Sequence, residues 1–412
     1  MSDIRRNPWT IAGMGLVILM ITNGLTAVAI SVFDESLLNE FGWSRGELKF
    51  RDFLNFAVVA LFAPFGGLIL DRVGARRMLV AGCLVLAVAY FAYSRIDRLL
   101  QMYVIHVAFA VALLAAGTMV VIVLVSSWFV EKRGLAIGIA LVGTSAGSFL
   151  LPPLNAVLIG ELGWRRTFVL EAFFPLVILL LVLLLVRNSP AEVGGHAVGV
   201  AADGPDPRRS GLEFGQALRT RTFWAIGSSG FLIYYSILAI FAHLFLHMRD
   251  LGYEPKVAAS ALSLLSLIAM SSKLGSGWLA DRFDRHKVFM ACLALMLVGV
   301  GGLSTMNGGM WVWSSVALVG LGWGGLFTLY NMLTVNNFGL KAIGKINGSV
   351  SSMEAFGGGL GIWLTGVLFD VFGSYQVPFL VLLACVALGL AIGTQIRSEL
   401  PEDRLRRFTA TA

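Results

Sequence analysis

Two ionisable side chains stand in stretches of sequence that otherwise exclude charge. Lys273 lies in an apolar run near 256–280, and Glu354 lies in another near 345–369. A charge at the middle of a hydrocarbon layer costs about 2.5–3.5 kcal/mol on insertion scales, so such residues face a cavity or a partner. An ammonium in that position binds an anion or is held by a carboxylate. Two readings follow. Lys273 and Glu354 form a fixed ion pair, or Lys273 binds a substrate carboxylate while Glu354 titrates or holds the lysine in place. Lesser signals accompany them. Asn23, Tyr234, Tyr235, Tyr330 and Asn331 are polar groups inside apolar runs and are candidates for small-molecule contact, with closing an inner gate the alternative for Tyr330 and Asn331. His106 and His243 also sit inside such runs, and imidazole titrates near neutrality, so either is a candidate proton relay or an interhelical hydrogen-bonder. Arg51 and Asp52 fall at the edge of a run with Asp34 and Glu35 nearby. Solvation at the membrane surface is the expectation for these four, with a gating pair as the alternative. Glu171 has no evident role, and we expect it to reach toward Arg165 or Arg166.

The elements that position these groups follow from composition. Of 412 residues, 57% are hydrophobic and only 13% charged, against about 25% charged in soluble domains. That excludes an ordinary soluble enzyme, a disordered chain and a nucleic-acid binder. The apolar residues come in runs of about 20, the length a helix needs to cross a bilayer. Twelve such runs are read, near 9–33, 47–70, 78–97, 100–128, 134–160, 164–186, 221–247, 256–280, 287–306, 310–334, 345–369 and 375–396. The first is longer than a signal-peptide core and reads as an uncleaved transmembrane helix, although Ala27-Val28-Ala29 mimics a cleavage site. Most of the 31 Lys and Arg fall on the side of the two termini, while Arg45, Lys49 and Arg249 are assigned to loops on the other side. This bias predicts both termini in the cytoplasm. The three cysteines, Cys83, Cys292 and Cys385, lie inside apolar runs and suggest neither disulfides nor a metal site. No nucleotide loop, metal cluster or nucleophile motif is found, so no enzyme and no cofactor are expected.

The chain reads as two halves. Residues 187–220 form the long polar stretch, rich in Gly, Pro and Arg, and are expected to link a bundle over 1–186 to one over 221–412. At an offset of 210 residues, Gly67, Asp71, Arg72 and Ala81 match Gly277, Asp281, Arg282 and Ala291; Gly134, Gly138, Gly147 and Gly163 match Gly344, Gly348, Gly357 and Gly373. Parallel repeats of this kind mark transporters. The expected fold is an all-α polytopic membrane protein with 12 transmembrane helices in two pseudo-symmetric six-helix bundles.

The loops carry a resemblance. Gly67, Asp71, Arg72, Gly74, Arg76 and Arg77 in the first half, and Gly277, Asp281, Arg282, Arg285 and Lys287 in the second, resemble the G-x-L-x-D-R-x-G-R-[RK] signature of the major facilitator superfamily. Such a charge cluster can lock one state of a rocking two-domain protein and release in the other, which makes Asp71, Arg72, Arg76, Asp281, Arg282 and Lys287 gating candidates. Asp284 stands where the signature has glycine. Trp128 to Gly138, with Gly143, Gly147, Pro152 and Pro153, and the stretch Gly348 to Gly359 with Glu354 look like the monocarboxylate porter and oxalate/formate exchanger branch. The glycines also have a packing reading, since small residues let helices approach in lipid. The branch usually has Arg where this chain has Lys273, animal porters have Asp where it has Ala269, and their span-one lysine corresponds to about Ser31. The exchanger's span-eleven lysine is replaced by Glu354. One cationic group in place of two argues against a dicarboxylate. In this superfamily spans one, four, seven and ten line the cavity.

The resemblance and the buried lysine imply a secondary transporter of a small organic monoanion, by proton-coupled symport and alternating access. A proton-coupled drug or organic-cation efflux antiporter and a non-transporting membrane sensor are the alternatives. The expected partners are the organic anion, the proton and the lipid bilayer, with no nucleic acid. A monomer in the inner membrane is expected.

Overall fold

Helix formation dominates because a backbone in hydrocarbon must satisfy its own hydrogen bonds. The computed structural model describes residues 7–129, 132–193, 211–305, 308–339 and 341–397. Within these, the side chains of Asp71, Asp281 and Asn331 lie outside the described residues, as do residues 194–210 of the expected 187–220 linker.

The helices are α1 (Pro8–Asn23), α2 (Asp34–Phe41), α3 (Arg45–Val73), α4 (Ala75–Tyr93), α5 (Leu99–Ala116), α6 (Thr118–Trp128), α7 (Arg133–Leu162), α8 (Trp164–Glu171), α9 (Phe173–Leu185), α10 (Phe214–Ala217), α11 (Arg221–Asp250), α12 (Pro255–Arg282), α13 (Arg285–Ser304), α14 (Met310–Phe338), α15 (Ile343–Phe372) and α16 (Gln376–Gly393). Eleven described segments are long and apolar enough to cross a membrane, some of them joining consecutive helices. The remaining long helix, α3, concentrates Arg45, Glu47, Lys49, Arg51 and Asp52 in its first turns and completes the expected twelve.

By internal contacts the chain divides into two compact units, Met1–Asp203 with Phe241–Ser266 and Gly204–Ile240 with Leu267–Ala412. The first unit therefore includes the C-terminal part of α11 and the N-terminal part of α12.

In the first unit the expected single helix over 9–33 is interrupted. A π-helical turn, Gly24–Val28, and a 3-10 turn, Ala29–Phe33, separate α1 from α2. Tight and wide turns of this kind leave carbonyls without their usual partners, and side chains take them up. The Tyr90 hydroxyl donates to the Leu25 carbonyl at 2.9 Å, and the Asn155 amide donates to the Ala29 carbonyl at 3.4 Å. The expected helix over 100–128 breaks at Gly117, where Thr22 Oγ1 donates to the Ala116 carbonyl at 3.2 Å. Helix α7 packs along α1 through glycines: a Cβ on Gly143 would collide with the Leu16 carbonyl, and one on Gly147 with the Met20 carbonyl.

The second unit repeats this device. A Cβ on Gly357 would meet the Phe231 carbonyl of α11, and one on Gly361 the Tyr235 carbonyl. Gly324 of α14 lies equally close to the Ala269 carbonyl of α12. The packing reading of these glycines is thus realised in each unit. Near the start of this unit Gly211 bridges Gly339, and the Lys341 ammonium donates to Glu213 at 2.8 Å. That bond holds the Glu213 carboxyl below its ordinary range.

The two signature loops turn differently. Gly74 adopts φ +85°, a region that favours glycine. Asp284 takes φ −58° and caps α13, its Oδ1 accepting from the Lys287 amide at 2.9 Å. The aspartate at the glycine position therefore replaces a backbone device with a side-chain cap.

Candidate functional site

Lys273 sits on α12 eight residues before Asp281, about 12 Å along the helix. Its ammonium lies 4.4 Å from the centroid of the Phe327 ring of α14, a cation–π contact. The approach of α14 is allowed by Gly324 and fixed by Thr328, whose hydroxyl donates to the Lys273 carbonyl at 3.2 Å. Phe327 meets Trp323 edge-on at 5.8 Å, and Trp323 meets Tyr234 of α11 edge-on at 5.0 Å. An aromatic wall therefore runs from the lysine across three helices. Glu354 of α15 is 7% exposed and faces α11 at Gly230, where an added Cβ would stand 3.1 Å from its Oε1. The second unit thus holds a base against a ring face and an acid against a glycine, with Tyr234 one turn from Gly230. Trp323 and Phe327 escaped the sequence reading; their signal was two aromatics in a Gly-rich helix.

The other expected residues take the following places. The Tyr330 hydroxyl shares a hydrogen bond with Ser229 at 2.8 Å, its ring meets Phe289 edge-on, and it is buried. Tyr235 is buried where its carbonyl lies under Gly361. In the first unit, Asn23 adjoins the π-helical turn, its amide 3.4 Å from the Thr22 hydroxyl. His243 is buried on α11. The expectation for Asn331 lies outside the described side chains, as do those for Asp71 and Asp281. Arg72 is exposed. Arg76 donates from its guanidinium to the Leu183 carbonyl at 2.8 Å, near the C-terminus of α9. Arg282 stacks over Trp278 at 3.9 Å.

The structure corrects the expectation for Arg51, Asp52 and Asp34, while Glu35 remains partly exposed. Rather than being solvated at the surface, Asp34 and Arg51 are fully buried and Asp52 nearly so. Lys49, assigned from sequence to an external loop, is also fully buried. Asp34 accepts hydrogen bonds from Lys49 and from Arg51. Arg51 also donates to the Tyr93 hydroxyl at 2.8 Å, and that hydroxyl lies 3.3 Å from His106 Nε2. The helix continues past Phe33 to Phe41, which draws Asp34 inside the unit. Glu35 forms a two-pronged pair with Arg249 at 2.7 Å. Arg45 does the same with Asp250 at 2.7 and 2.8 Å. Glu171 is likewise corrected. It is fully buried, and Arg165 pairs instead with Glu40, which also accepts from the Trp164 indole at 2.6 Å.

Comparison with known proteins agrees with this architecture. The chain is 26% identical over 389 residues to monocarboxylate transporter 11 of Homo sapiens, covering 90% of this chain and 79% of the relative. It is 21% identical over 415 residues to the oxalate:formate antiporter of Oxalobacter formigenes, covering 97% and 96%. A crystal structure of a bacterial homolog of the human lysosomal transporter Spinster superposes with a TM-score of 0.75 at 15% identity, covering 96% of this chain and 98% of that one. The family model of the Major Facilitator Superfamily matches residues 13–362. The chain belongs to the major facilitator superfamily, whose members are membrane transporters and not enzymes.

Proposed function

We propose that this transporter carries a small organic monoanion together with a proton, by alternating access. The observation that carries the reading is Lys273 against the Phe327 ring, at the end of the wall formed with Trp323 and Tyr234. A ring face stabilises an ammonium without neutralising its charge. A substrate carboxylate supplies the neutralising charge, and the aromatic wall accepts its apolar remainder. One base in the middle of α12, with an acid in the middle of α15, suits a monoanion better than a dianion. The resemblance to transporters named for monocarboxylates and for oxalate and formate supports the same class. Glu354 serves as an acid that balances Lys273 when no substrate is bound. Both termini lie in the cytoplasm, the membrane is the cell's inner membrane, and the working unit is the monomer.

The test is uptake into proteoliposomes of radiolabelled formate, acetate, lactate, pyruvate, oxalate and succinate under an imposed pH gradient. Monocarboxylate accumulation above equilibrium, lost in Lys273→Gln, is the expected result. Uptake of dianions alone, or accumulation indifferent to the gradient, overturns the reading. Gradient-driven extrusion of a lipophilic cation replaces it with the efflux alternative.

A further inference from the structure

The buried charge cluster of the first unit has no part in the anion site. Lys49, Arg51 and Asp52 come from α3, Asp34 from the start of α2, Tyr93 from the end of α4 and His106 from α5. Helix α11 contributes the Ala242 carbonyl, which accepts from the Lys49 ammonium at 2.6 Å, with the buried His243 next in sequence. The Asp34 carboxylate is satisfied, one oxygen facing Lys49 and the other Arg51. Asp52 is not. Its Oδ1 stands 3.7 Å from Arg51 Nε and 3.8 Å from His106 Nδ1, and its Oδ2 stands 3.8 Å from Lys49 Nζ. These distances bring charge together without making hydrogen bonds. Asp52 Oδ2, Arg51 Nε, His106 Nδ1 and Asn55 Oδ1, one turn further along α3, are buried atoms with no hydrogen-bond partner among the described residues.

Buried polar atoms are ordinarily paired, and an exception calls for a reason. Here Asp52 and the unpaired Nδ1 of His106 stand 3.8 Å apart, and a proton placed between them would let them pair. On Asp52 Oδ1 it forms an O–H bond and creates a donor facing His106 Nδ1, an acceptor in the tautomer that carries its proton on Nε2. On His106 Nδ1 it creates a donor facing Asp52. No other bond is broken, and release reverses the step. The cluster's charge responds. With both aspartates ionised and His106 neutral, two cations balance two anions. One added proton leaves a net positive charge in a dry interior, where an uncompensated charge is costly.

We propose that Asp52 and His106 form the proton-binding site of this transporter, and that its occupancy sets how firmly Lys49 and Asp34 hold α11 at Ala242. The proposal rests on the proton-coupled reading above and names where that proton binds. The hold on α11 is shared with Arg249–Glu35 and Arg45–Asp250, ion pairs at its C-terminal end. A change of charge at Asp52 therefore acts on a helix that carries Tyr234 of the substrate wall at its middle.

Asp52→Asn and His106→Gln are compared with wild type in proteoliposomes, using whichever of formate, acetate, lactate or pyruvate the wild type exchanges fastest. We expect each variant to lose accumulation driven by the pH gradient to a greater degree than equilibrium exchange, and Asp52→Glu to restore it. Purified protein gives a second reading without substrate: the wild-type thermal midpoint should show an inflection with pH that both variants lack. Full gradient-driven accumulation in both variants, or the wild-type inflection retained in both, overturns the assignment while leaving the proton-coupled reading intact. A wild type that ignores the gradient overturns the coupled reading itself. If Asp52→Asn does not fold, His106→Gln alone decides.

Discussion

Asp34 accepts a hydrogen bond from Lys49 with neither side chain reaching solvent. Arg51 shares the same carboxylate, so Asp34 accepts from two buried cations at once. Removing a partner from a buried pair leaves charge uncompensated, at a cost of about 3–5 kcal/mol. Asp34→Ala should therefore lower the thermal midpoint of the purified protein far more than Glu40→Ala, whose partner Arg165 is 41% exposed and belongs to a class worth about 0–1 kcal/mol. Equal midpoints for the two variants would show that water reaches Asp34.

The glycines of α7 make a geometric prediction. A Cβ on Gly143 or Gly147 meets backbone of α1, which has no side chain to move aside. Overpacking of this kind costs about 1–3 kcal/mol. Gly147→Ala should reduce thermal stability and transport, because it presses on α1 beside the π-helical turn at Gly24–Val28. Gly138→Ala, on the same helix with nothing within 4 Å of the added atom, is the control and should match wild type in both measurements.

Legibility in the sequence follows the range of the interaction. The helical spans and the turns at the signature loops are written in local composition, and the breaks after α1 and at Gly117 are not. Those breaks depend on partners far along the chain: Tyr90 and Asn155 for the turns after α1, Thr22 for the carbonyl at Gly117. Lys273 and Glu354 were visible because isolated charges in apolar runs are conspicuous. Lys49 was not, because a lysine near a helix start reads as a loop cation until its partner, 15 residues earlier, is known to be drawn inward. Phe327 was invisible for a different reason, since one more aromatic in an apolar helix carries no signal until a cation lies over it.

Glu171 invites a substitution that would be harmful at a charged site. It is fully buried, and Arg165, one of the two arginines expected to meet it, is engaged by Glu40. Asn155 lies beside it on α7 and is itself buried. Burying a polar group is tolerable when it is neutral and severe when it is charged. Glu171→Gln keeps the shape and should leave the thermal midpoint close to that of wild type, whereas Glu171→Lys should prevent folding. A large loss in Glu171→Gln would mean that the side chain works as an anion, with a cation reaching it in another conformational state.

Lys273 is the residue on which anion recognition turns. A hydrogen bond to a charged group contributes about 1.5–3 kcal/mol, equivalent to roughly ten- to a hundredfold in affinity. Lys273→Gln should weaken monocarboxylate binding by that factor, read as a rise in the KM of proteoliposome exchange with protein yield unchanged. Lys273→Arg restores the charge and can stack on Phe327, so it should recover much of the loss. Phe327→Leu tests the wall separately. It removes the ring face beneath the ammonium, keeps the bulk, and should raise KM less than Lys273→Gln does. If Phe327→Leu proves the more damaging of the two, the ring itself binds the substrate and the lysine is its support.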